Sequence, residues 1–151
     1  MSYTAESGRL QILDDATAAV GELDVALGQL GEAYDHLDEH TAESMEGSVF
    51  KPLQGAYGLL RRTLASFAER YGLPMREAAP PPLPAPQDPR AAFEQTAESI
   101  DNADRILSDL QDSLLPVEVG DRELRTGLSE VRTALSRLPD ACDQLIRGFG
   151  R

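Results

Sequence analysis

Tryptophan is absent from the 151 residues, histidine occurs twice, and lysine and cysteine occur once each. Each shortage removes a class of chemistry. The lone Cys142 has no partner for an intramolecular disulfide and fits a reducing compartment. Two histidines close together, with no G-x-S-x-G elbow, supply no Ser-His-Asp or Cys-His relay. A single lysine beside thirteen arginines, in a chain of net charge −12, cannot offset repulsion by a polyanion, so nucleic acid is not expected as a partner. Anionic membrane surfaces are disfavoured on the same ground. No apolar run approaches the ~18–20 residues that span a bilayer. The opening MSYTAESGRLQILDD has neither a basic nor an apolar leader region, so we expect no secretory signal and a cytoplasmic protein.

What is abundant is helical periodicity. Apolar residues step by threes and fours through Leu13, Ala16, Val20, Leu23, Leu27, Leu30, Tyr34 and Leu37. The same spacing runs from Phe50 through Tyr57 and Leu64 to Tyr71, and from Phe93 through Ile100 and Leu107 to Leu114. A fourth stripe runs from Leu124 through Val131, Leu138 and Cys142 to Phe149. No period-two alternation competes, so the fold class is all-α. We expect a single domain over 1–151: a four-helix bundle of two antiparallel helical hairpins, about 5–73 and about 89–149, joined by a Pro-rich linker over 74–88. Coiled-coil-like packing and an up-down-up-down chain order are expected.

Local signals set the boundaries. Asp88 before Pro89 reads as an N-cap with proline at the first helical position, and Asp121 caps the fourth helix. Gly72 followed by Pro74 closes the second. The first turn is placed between residues 39 and 48, and Pro139 is read as a kink. The linker, extended at ~3.1 Å per residue, reaches ~45 Å, comparable to the ~40 Å of a 26-residue helix. Its Pro81 and Pro84 form a PxxP pattern that SH3-like domains bind, beside the plainer reading as a spacer.

Charge is distributed unevenly. Residues 1–47 carry a net −10, residues 48–75 a net +3, residues 88–115 a net −5 and residues 121–151 a net +1. An acidic helix is thus expected beside a more basic one in each hairpin. The small-residue columns Ile12–Ala19–Ala26–Ala33 and Gly127–Ala134–Ala141–Gly148 suggest that the first and fourth helices are neighbours. Gly21, Gly28, Gly31, Gly55 and Gly58, inside predicted helices, are read as tolerated or as marks of close contact, including with a second chain.

One cluster carries metal-ligand chemistry. His36 and His40 stand four apart, with Glu32 and Glu43 nearby, a spacing that lets two imidazoles on one helix face share an ion. Against it, the chain has no Glu-x-x-His and no further histidine, which inward-facing carboxylate-bridged sites in helical bundles use. Cys142 sits on a core stripe and reads as a small buried hydrophobe rather than a thiolate. No cofactor is expected, and the chain is not expected to be an enzyme.

The acidic helical hairpins are similar in architecture to the type VII secretion substrates of the WXG100 kind. Their W-x-G turn is missing here. Their export pattern, Y-x-x-x-D/E, has a counterpart in Tyr34-Asp35-His36-Leu37-Asp38, but within the first helix rather than after a hairpin. A secreted hairpin protein is what that resemblance implies. The residues themselves point first to a non-catalytic protein-interaction module, binding another protein or a second copy of itself, with Arg61 and Arg62 as candidate contacts. A metal-binding bundle centred on His36 and His40 is the alternative.

Overall fold

A computed structural model describes residues 2–149, with side chains over residues 5–148. All regular structure among them is helical, with no strand. Helix α1 spans Ser2–Tyr34, α2 Glu39–Met45, α3 Lys51–Arg70, α4 Pro89–Asp112, α5 Leu115–Glu118, α6 Arg122–Leu135 and α7 Leu138–Phe149. The side chain of Phe149, placed on the fourth stripe, lies outside the described residues.

The first break falls earlier than the expected 39–48. Helix α1 ends at Tyr34, the chain turns through His36 N–H to Ala33 C=O, and Asp38 starts α2 by accepting the Thr41 N–H at 2.7 Å. An aspartate that satisfies a free amide of the next turn nucleates a new helix there. Gly47 lies instead in a wide π turn, Glu46–Phe50, in which the Lys51 N–H reaches back to Glu46 C=O. Pro52 follows directly; it has no N–H to donate, and the widened ladder ahead of it takes up the misfit.

The remaining ends follow the caps read from the sequence. Asp88 accepts from the Ala91 N–H at 2.8 Å, and Asp121 from the Leu124 N–H at 2.8 Å. Gly72 closes α3 in the left-handed region, φ 63°, and lets the Leu73 N–H return to Ala68 C=O. The fourth segment breaks at residues 136–137, so Pro139 stands in the first turn of α7 rather than within a bent helix. Leu114, expected in the core, is 54 % exposed: the chain leaves α4 through it in the left-handed conformation, φ 67°, which turns its side chain outward.

Helix α1 packs most extensively on α4, α3 on α6, and α4 on α7, whereas the α1–α3 contact is thinner. Side chains fix the directions. Arg9 near the start of α1 lies over the Tyr71 ring that follows α3 and donates to Val119 C=O, and Arg70 at the end of α3 binds Asp121 ahead of α6. The Pro-rich strap leaves this end along α1. Arg76 bonds Asp14, the Ala79 carbonyl lies over Gly21, Pro81 and Leu83 run past Val25 and Gln29, and Asp88 arrives beside His36. Helix α4 therefore starts where α1 ends.

The chain order is up, down, down, up, with the strap as the crossover, which corrects the expected up-down-up-down. A stretch dense in proline is stiff and extended, so it spans the helices' length instead of folding back locally. A second correction concerns neighbours. Helix α1 lies beside α4 and α3, not the fourth segment, and a Cβ on Gly127 of α6 would strike Thr63 of α3. The alanine column of α1 serves the α4 seam instead. The Asn102–Glu22 hydrogen bond sets a register that places Ala26 and Ala33 level with the buried Ser99 and Ala92. Small residues on both sides let those helices close tightly.

Charge pairs also link the helices. Arg132 of α6 binds Asp104 of α4 at 2.9 Å. Arg70 at the end of α3 pairs with Asp121 and Glu123 at the start of α6, at 2.7 and 2.8 Å.

Candidate interaction surface

The seam that stays open is the one between α1 and α3, and the reason is side-chain size. The α1–α4 register brings small residues such as Ala26, Ala33, Ala92 and Ser99 level with one another, whereas Tyr34 of α1, Phe50 of the π turn and Tyr57 of α3 lie beside the α1–α3 contact. These rings are only partly covered: Tyr34 is 46 % exposed, and Phe50 and Tyr57 are half-buried. Tyr34 had been placed on the core stripe, and its exposure is a correction. It is the last residue of α1, where no further turn covers it.

Two cavities lie along this seam. The lower one, about 640 Å³, has Val20 and Leu64 on its floor, Tyr57 and Arg61 on one wall, Asp24 on the other, and Met75, Arg76, Glu77 and Ala78 of the strap along one side. The upper one, about 220 Å³, lies between α1 and the segment just ahead of α3 and is lined by Leu30, Gly31, Tyr34, Met45, Glu46 and Phe50. Burial, reinforced by the adjacent Asp24 carboxylate, pushes the Tyr57 hydroxyl above its ordinary pKa. Tyr57 thus stays a neutral hydrogen-bonding group at the waist of the groove.

Arg61 stands beside Tyr57, its guanidinium 5.6 Å from the ring centroid and its Nη1 donating a long 3.4 Å bond to the hydroxyl. Arg62 and Lys51 are exposed on the same helix. Among the described residues no ion pair reaches Lys51, Arg61 or Arg62. The structure therefore brings Arg61 to a cavity wall, whereas Arg62 lines neither of these two cavities.

The histidine cluster is not brought together as a helical pair. His36 lies in the turn after α1 and His40 in the first turn of α2, with Asp38 and the break between them; both are exposed. The i, i+4 face that motivated the metal reading is therefore not formed. Glu32 and His36 border a shallow pocket against the end of the strap, and Glu43 is exposed on α2. Among the described residues no group of three or more His, Cys, Asp or Glu is placed to hold a metal ion.

Cys142 is fully buried, and burial followed by the nearby Asp143 charge pushes its thiol up to about 11. The Tyr34–Asp38 pattern straddles the turn between α1 and α2, rather than lying inside the first helix as the periodicity implied. No described helix is long and apolar enough to cross a membrane.

The groove itself was not anticipated. Its signal was present in the aromatic residues of the first two stripes, which periodicity assigns to the core without saying how far each is covered. No family model, no curated protein and no solved structure matches the chain.

Proposed function

We propose that this protein is a non-catalytic interaction module, an adaptor or scaffold whose two helical hairpins form a four-helix bundle, and that the α1–α3 groove with Arg61 and Arg62 is its contact surface. The observation that carries the reading is the open seam: partly covered aromatic rings along two helices, flanked by cations that have no ion-pair partner among the described residues. Apolar grooves between helices accept an amphipathic helix or a complementary helical face, and unpaired charge at the rim sets orientation and speeds association. The bundle reading is supported by the pairing of α1 with α4 and α3 with α6 across the hairpins, each pair antiparallel. The modest positive charge of α3 is outweighed by the acidity of the rest, which favours protein over nucleic acid or anionic membrane as the partner. The lone Cys142 suits the cytoplasm as the setting.

The test is capture of the tagged protein from its native host at several salt concentrations, beside Arg61→Glu/Arg62→Glu. A near-stoichiometric co-purifying protein, or a second copy, that is lost in the variant and weakens with salt is the expected result. Binding and salt dependence unchanged by the double substitution would remove this surface from the account.

A further inference from the structure

The α1–α3 groove has two unlike rims. On the α3 side stands Arg61, exposed and outside any described ion pair. On the α1 side stands Asp24, which meets Tyr57 across the groove, beside the strap's Glu77 and its Arg76, the latter already paired with Asp14. That contact sets the register of the antiparallel pair, so Gly31 is level with Phe50 and Val20 with Arg61. A surface with acid on one edge and base on the other is complementary to itself.

We infer that the occupant of this groove is a second copy of the chain, docked through a two-fold axis that runs along the helices. This inference rests on the groove being a contact surface and adds what fills it. A two-fold axis in that direction sets α1 of one copy over α3 of the other, so Asp24 approaches Arg61 twice, once on each side. Facing helices then run antiparallel, and Tyr34, an exposed ring at the groove's upper end, comes over Phe50 of the second copy. Gly31 helps there: nothing approaches within 4 Å of the position where its Cβ would stand, so the upper cavity is open for an incoming ring. A two-fold axis across the helices would instead set the acidic α1 over its own copy and α3 over α3, which the charges disfavour.

The available area decides the strength. The seam is about 25 Å long at 1.5 Å per residue and roughly 20 Å wide across two helices. Two such faces bury roughly 1,000 Å² in total, the lower limit for a specific interface. The association is accordingly weak and concentration-dependent, not obligate.

Sedimentation equilibrium of the full chain, from about 1 μM to about 500 μM in low salt, tests it with two reversals. The wild type moves from monomer toward dimer mass across this range. Arg61→Glu alone and Asp24→Arg alone each raise the dissociation constant by roughly tenfold or more, because each places like charges together in both contacts. An equimolar mixture of the two variants recovers the dimer. On one side of the axis the two substituted positions then pair with opposite charges, reversed from the wild type, and on the other side the native Asp24–Arg61 contact is kept. Far-UV circular dichroism and a thermal melt establish that each variant is folded, and Asp24→Asn, a gentler change, weakens association in the same direction. A wild type that stays monomeric throughout overturns the second copy as occupant, while the capture experiment still decides the contact surface. Dimerisation unaffected by either reversal, or lost in both and not recovered on mixing, overturns this geometry.

Discussion

Two residues show how burial and pairing set local chemistry. Cys142 lies at full burial on the inner face of α7, and both burial and Asp143 disfavour its thiolate, raising the pKa to about 11. Reaction with a disulfide reagent at pH 8 is therefore expected to be slow in the native protein and fast in denaturant; equal rates would show that the thiol is accessible. Asp121 behaves oppositely. Burial raises its carboxyl, but the Arg70 hydrogen bonds and the Leu124 N–H outweigh that and leave it lowered. A carboxylate depressed in the folded state contributes stability above its unfolded pKa, near 3.9, and loses it as pH falls through the folded value. Stability is expected to drop below about pH 4, and Asp121→Asn should flatten that part of the curve while costing roughly 1–2 kcal/mol at pH 7. Chemical denaturation at pH 7, 4 and 3 checks both statements.

At the scale of elements, the helices were legible because their signals are local. Three- and four-residue spacing marks each stripe, and Asp88, Asp121 and Gly72 act within one turn of themselves. What failed needed information from elsewhere in the fold. Helix α1 stops at Tyr34 because Asp38 competes for the next amides, a signal weaker in the sequence than Gly47 nearby. The strap's path depends on α1 offering Asp14 to Arg76 and a bare Gly21 beneath Ala79, contacts between residues some 60 apart in the chain. The small residues of α6 announced a close neighbour, which the sequence pattern assigned to the first helix. That neighbour is instead α3: Gly127→Ala should collide with Thr63 and destabilise the protein by roughly 1–3 kcal/mol, and Thr63→Ala should recover part of the loss. Additive effects in a double-mutant cycle would show that the two positions do not meet.

Over the whole molecule, one uneven distribution of size and charge accounts for the surface left open. Alanine, serine and threonine close the seam between α1 and α4, and the Arg70–Asp121 and Arg9–Val119 contacts tie the ends of α3 and α1 to the segment ahead of α6. Tyr34, Phe50 and Tyr57 stay partly exposed beside the α1–α3 contact, and Lys51, Arg61 and Arg62 are in no ion pair among the described residues. The candidate site was legible only in part. Arg61 and Arg62 were visible as a basic pair in an acidic chain, whereas the covering of Tyr34, Phe50 and Tyr57 depends on how closely two helices approach. The histidine pair failed for the converse reason: a spacing in sequence becomes a shared face only if the helix continues through it.

The most direct measurement is site-specific photo-crosslinking in the native host, with a photoreactive amino acid at Tyr57 inside the groove and, as the control, at the exposed Glu98 on α4. The account predicts a discrete adduct from position 57, to a second copy or to another protein, that disappears with Arg61→Glu/Arg62→Glu and has no counterpart at position 98. No adduct at 57, or the same adducts from both positions, would contradict it.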